Sequence, residues 1–247
     1  MFTRRRLMVG IAAVVMSGIL LASCGRSQPS AIATLSPTVT PTPTPAELLA
    51  KAATAMQGVS TVEFSLGHEK GSTPLLPGLA ATSFQGQVAM PDRVQVSMKA
   101  EVAVIRTVVE IKVIVIAGKA YMTDPVTGAW HEIPVDNLPL NFQDLANKLG
   151  DIAAAANSPQ YTGADTVEGV QTTRVSASVG GENLQTLIPS AIAANKLKAE
   201  LWVEKGTWLI RKARLVGPIV SEDSPDVVRV LVLRSFGKSV DISPPPQ

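Results

Sequence analysis

The chain has 247 residues, 46% apolar and 17% charged, with a formal charge of +2, one cysteine and two histidines. That apolar share is enough to bury one sizeable core or two small ones, which excludes wholesale disorder. A single cysteine forms no intramolecular disulfide and no cysteine-rich metal centre, and two histidines leave a metal short of ligands, so no metal or other cofactor is expected.

The chain opens with Arg4, Arg5 and Arg6, an uncharged run from Leu7 to Ala22, and Leu21-Ala22-Ser23-Cys24. A basic start, a short apolar run and small residues read as an export signal. The 16 residues from Leu7 to Ala22 fall short of the about 20 needed for a transmembrane helix. The ending resembles the lipobox of bacterial lipoproteins, in which small residues admit a signal peptidase and a diacylglyceryl group alkylates the cysteine. On that resemblance Cys24 is the lipidation site and the first residue of the mature chain. A plain signal peptide with an incidental cysteine, or an uncleaved anchor, is the alternative; the sole cysteine standing where the motif needs it favours the lipobox. Thr3-Arg4-Arg5-Arg6-Leu7 also loosely resembles a twin-arginine signal, although basic starts are general. Removal of residues 1–23 leaves 19 basic against 20 acidic residues, a formal charge of −1. Basicity is thus a targeting feature, and no basic patch remains for nucleic acid.

Residues 24–45 follow as a lipidated cysteine and a Ser/Thr/Pro-rich tether ending in Pro41-Thr42-Pro43-Thr44-Pro45. Alternate prolines favour an extended spacer of about 3 Å per residue. A folded domain is expected over 46–247. Ala46 to Gln57 predicts an amphipathic helix, with Leu48, Leu49, Ala52, Ala53 and Met56 on one face and Gly58 after its end. The period then changes to two. Strands are predicted over Thr61–Gly67, Ser83–Ala89, Arg93–Lys99, Val102–Ala117, Lys119–Thr123, Ala129–Ile133, Gln171–Val179, Lys198–Val203, Leu209–Leu215 and Val227–Ser235. Further helices are predicted over Asn141–Ala156, Glu182–Leu187 and Ser190–Leu197. Within Val102–Ala117 one parity is nearly all apolar, while Arg106, Glu110 and Lys112 interrupt the other, so the sheet has one apolar and one wet face. Alanine-rich helices over that face fit either a cavity or close helix packing.

Two passages carry a family resemblance. Gly118-Lys119-Ala120-Tyr121-Met122-Thr123-Asp124-Pro125-Val126-Thr127-Gly128-Ala129-Trp130 reads as strand, turn and strand. Leu201-Trp202-Val203-Glu204-Lys205-Gly206-Thr207-Trp208-Leu209-Ile210-Arg211-Lys212-Ala213 repeats that scheme. Followed by Phe236-Gly237-Lys238 and Asp241-Ile242-Ser243-Pro244-Pro245, they resemble the LppX/LprG type of actinobacterial lipoproteins, similar in fold to the LolA and LolB carriers. The resemblance covers about Ala46 to Pro245. It implies an α+β fold: a strongly curved antiparallel β-sheet, a half-barrel, with a few helices covering the concave, apolar face and a hydrophobic cavity between. It further implies an extracytoplasmic, lipid-anchored monomer at the cell membrane that binds an acylated lipid or glycolipid, with room for an envelope transporter as a working partner. Exposing a 16-carbon chain to water costs about 12 kcal/mol, at about 0.8 kcal/mol per methylene, so passage through an aqueous envelope needs a protein sleeve.

Cavity-lining candidates are Val94, Val96, Met98, Ile105, Val109, Ile111, Val113 and Val115; a filled core explains the same pattern. Leu75, Leu76 and Leu79, in the segment Glu69–Ala80, are gate-loop candidates, against a loop whose leucines dock on the core. Asn157–Ala164 is a second candidate hinge. Tyr121, Trp130, Trp202 and Trp208 beside turns read as structural pins. His68 and His131 read as surface histidines, and Glu222, Asp223 and Asp226 as a solvated acidic turn in preference to a calcium site. With no G-x-S-x-G, H-E-x-x-H or phosphate loop, no catalytic residues and no enzyme are expected. Two functions follow: a carrier passing an amphiphile across the envelope, or a non-transporting module of the same fold that senses lipids or lipoproteins or contacts a membrane partner.

Overall fold

The computed structural model describes residues 42–138, 141 and 145–246. The expected signal segment, Cys24 and the expected tether up to residue 41 lie outside the described residues. Thr42–Gln247 forms one compact unit with its own hydrophobic core, the property of a region that folds by itself.

Helix α1, Pro45–Gln57, begins with a reciprocal cap: Thr44 Oγ1 accepts from Glu47 N at 3.3 Å, and Thr44 N donates to Glu47 Oε2 at 2.7 Å. Proline at the first helical position loses no hydrogen bond there. Twelve strands follow: β1 Thr61–Lys70, β2 Thr73–Leu76, β3 Leu79–Ala89, β4 Arg93–Val102, β5 Thr107–Ile116, β6 Lys119–Thr123, β7 Trp130–Ile133, β8 Asn157–Val167, β9 Val170–Gly180, β10 Lys196–Glu204, β11 Ile210–Val216 and β12 Val228–Arg234. Helix α2, Leu145–Ala154, precedes β8, and α3, Gly181–Leu184, follows β9.

All pairings are antiparallel, in the order β7-β6-β5-β4-β3-β1-β12-β11-β10-β9-β8, with β2 on β3. The edge strands β7 and β8 do not pair with each other, so the sheet is an open half-barrel. Register puts one set of strand termini together. Lys70 faces Val228, Val102 faces Thr107, Gly180 faces Lys196, and Val216 faces both Lys198 and Val228. The ends of β1, β4, β9 and β11 and the starts of β5, β10 and β12 therefore share one rim.

Several expectations change. The long strand over Val102–Ala117 is two strands joined by a turn at residues 103–106, where Arg106 has φ 48°; its apolar residues continue the strand parity and hide the reversal. Residues 157–164, a candidate hinge by sequence, form the start of β8, a polar edge strand exposed along nearly its whole length. Its register breaks at 157/160 and 161/163, irregularities that blunt a sheet edge. The segment 69–80 holds the end of β1, β2 and the start of β3, a hairpin instead of a loop, and residues 190–195 turn into β10 instead of forming a helix.

The core is asymmetric. On the half built by β3 to β6, Leu48, Leu49, Ala52 and Met56 of α1 join Val88, Val94, Val96, Val113 and Val115 in one filled interior. Helix α2 is held close to α1: a Cβ at Gly150 would lie 3.0 Å from the Ala53 carbonyl oxygen and 3.1 Å from its Cα. A helix tied so closely to its neighbour is not free to sink onto the other half of the sheet.

Candidate functional site: an apolar cavity open at one rim

Over that other half lies a cavity of about 970 Å³. Phe64 and Leu66 of β1, Leu231 and Leu233 of β12, Ala213 and Leu215 of β11, and Ala199 and Leu201 of β10 form its floor. Leu145, Leu149, Ile152 and Ala153 of α2, with Leu184, Leu187 and Ile188, form its roof. Alternation explains the floor: every second residue of β12 from Arg229, namely Leu231 and Leu233, points inward, while Val230 and Val232 do not line the space. Lining residues that are exposed, Pro77, Gly78, Glu101, Ala103, Ser190 and Glu222, lie at the shared rim, which is where the cavity opens.

One polar network sits in this wall. Asp223 and Arg229 are buried and ion-paired through Asp223 Oδ1 and Arg229 Nη2. Asp223 Oδ2 accepts from the backbone nitrogens of Ile219 at 2.7 Å and Val220 at 3.2 Å. Arg229 Nε donates to Thr73 Oγ1 at 3.0 Å, and His68 Nε2 stands 2.9 Å from the same hydroxyl. His68 Nδ1 lies 2.9 Å from the Thr82 carbonyl, an acceptor only, so Nδ1 carries the proton and Nε2 accepts from Thr73. Burial pushes the His68 pKa down, against the Thr82 hydrogen bond that raises it; Arg229 lowers it further and Asp223 raises it. The network fastens β2, the short strand at the lip, to β1 and β12.

Of the gate-loop candidates, Leu75 and Leu79 line the cavity; the side chain of Leu76 lies outside the description. The lining candidates fall elsewhere. Val94, Val96, Met98, Ile111, Val113 and Val115 are buried in the filled half, Val109 packs half-buried against it, and none borders the cavity. Ile105 is a correction: it is 67% exposed in the β4–β5 turn. Tyr121, Trp130, Trp202 and Trp208 do not line the space. Trp202 Nε1 donates to Asp165 Oδ2 at 2.9 Å with Lys212 Nζ 4.5 Å from its ring centre, and Lys51 Nζ lies 4.7 Å from that of Trp208. Asp223 is also a correction, being buried and paired instead of part of a solvated turn, and so is His68, half-buried in the network; His131 is exposed. Parity in β12 was the available signal for the true floor; nothing local in the sequence pairs Asp223 with Arg229.

An apolar wall with one satisfied polar corner suits long apolar groups. A family model described as LppX_LprAFG lipoprotein matches residues 44–244. The fold is similar to the crystal structure of LprF from Mycobacterium bovis, at 18% identity and a TM-score of 0.64, over 84% of this chain and 100% of that one. It is also similar to lipoprotein LppX from Mycobacterium tuberculosis, at 14% identity and a TM-score of 0.56, over 81% of this chain and 98% of that one. At these identities the likeness speaks for the fold. No curated protein matches this sequence.

Proposed function

We propose, because the chain belongs to the LppX_LprAFG lipoprotein family, that it is anchored to the extracytoplasmic face of the cell membrane through acylated Cys24, binds an acylated lipid or glycolipid, and carries it across the envelope. In this reading residues 1–23 are the signal, 24–45 the tether and 46–247 the lipid-binding domain. The observation that carries it is the apolar cavity of about 970 Å³, open at one rim. At about 30 Å³ per water-sized group, that space accommodates about 32 methylene-sized groups, the content of two long acyl chains. A polar headgroup then sits at the rim, where Glu101, Ser190 and Glu222 are exposed. Leu75 and Leu79 of the β2–β3 hairpin form the lip that cargo passes.

The residues at the cavity support binding without turnover, so the protein acts as a carrier and not as an enzyme, with lipid as its partner and a membrane transporter as the natural donor or acceptor. Mass spectrometry of organic extracts from the compact unit, purified without detergent from a lipid-containing host, tests this. A diacyl or triacyl lipid in stoichiometric amount is expected. A stable, lipid-free domain that also takes up no added lipid overturns the carrier reading and leaves a non-transporting module.

A further inference from the structure

We infer that the β4–β5 turn is a membrane-contacting prong that sets the cavity mouth on the surface of an anionic lipid bilayer. The inference rests on the carrier reading for its purpose but on separate residues for its evidence. Val104, Ile105 and Val108 are 88%, 67% and 61% exposed, an apolar group that no element of the fold covers. The stretch Val102–Val109 carries a single charge, Arg106, at the end of the turn. Apolar side chains around a lone cation match the boundary between acyl chains and phosphate headgroups.

Position supplies the occupant. Ala103 and Glu101, beside the prong, line the cavity at its rim, and Ala103 N donates to the Gly78 carbonyl at 2.9 Å, bonding the prong to the lip hairpin. Cargo crossing this rim therefore enters or leaves beside the exposed valines and isoleucine, and a lipid surface there spares its chains a passage through water. The chain outside the structure permits it: residues 24–41, at about 3 Å each when extended, span up to about 54 Å, enough to let the domain present this rim to the bilayer holding its anchor. A protein partner has no comparable support, since the prong offers one charge and no groove.

The test is flotation of the chain from Gly25, which lacks the acyl anchor and keeps the whole compact unit, with protein-free vesicles of phosphatidylcholine containing phosphatidylglycerol. The wild-type chain is expected to float with the vesicles, and Val104→Asp combined with Ile105→Asp to reduce bound protein at least about tenfold. Arg106→Glu is expected to lose the preference for phosphatidylglycerol over pure phosphatidylcholine. These side chains are exposed, so near-UV circular dichroism should be unchanged, and Ile105→Ser provides a milder second variant with an intermediate loss. Equal flotation of wild type and variants, or no flotation of the wild type, overturns the prong. Lipid extracted from the same preparations decides the carrier reading by itself, so the two fail separately.

Discussion

Asp223 and Arg229 are the residues whose removal should cost most, because each is buried and the two are ion-paired with each other in the cavity wall. Asp223→Ala leaves an unpaired guanidinium and two orphaned backbone N–H groups, and should destabilise the domain by about 3–5 kcal/mol in urea unfolding. The double replacement Asp223→Leu with Arg229→Met should cost clearly less, since no charge is then stranded. His68, bonded to the same Thr73 hydroxyl, makes the network pH-dependent. Its folded-state pKa lies below the ordinary 6.5, burial being the main cause. Its contribution is therefore complete above pH 6.5 and is lost as pH falls through the lowered folded value. A proton on Nε2 would face a hydroxyl already accepting from Arg229. Thermal melts of wild type and His68→Gln should converge as pH drops below 6.5; a constant difference would show that the proton has no such effect.

At the scale of elements, the two halves of the sheet predict opposite answers to the same kind of change. Val113 is 2% exposed in the filled half under α1, so Val113→Asp should prevent folding, seen as loss of near-UV circular dichroism, while Lys112→Gln on the wet face should leave it intact. The period-two pattern of 102–117 already assigns those two faces, and the period of 46–57 already gives α1, because each element buries one face against a continuous core. Three elements were not legible, each for a physical reason. The turn at 103–106 keeps its apolar parity while pointing into solvent. The edge strand β8 is polar on both faces and so lacks alternation. The placement of the cavity depends on how far α2 stands from β10 to β12, a tertiary distance fixed through Gly150 against Ala53 that no local pattern encodes. The valine-rich strands therefore drew attention to the half that is packed, and the leucines of β12 and α2 border the half that is not.

For the molecule as a whole, the asymmetry means that one domain does two tasks with one sheet: the end of β3 with β4 to β6 under α1 supplies rigidity, and the start of β3 with β1 and β9 to β12 under α2 encloses a space. A volume test separates them. Ala213 lines the cavity, half-buried on β11, whereas Ala100 on β4 is wholly buried in the filled core. Ala213→Trp should be accepted by empty space, leaving the melting temperature equal or higher, while the added ring takes room from cargo and lowers recovered lipid in extracts. Ala100→Trp meets packed neighbours and should destabilise by at least about 1–3 kcal/mol. If Ala213→Trp were instead as damaging as Ala100→Trp, the space over β10 to β12 would be closed in solution, and the reading of the two halves would fail. If it keeps the fold and displaces lipid, the void is the binding site, and the cost of leaving it unpacked in the free protein is carried by the valine core beside it.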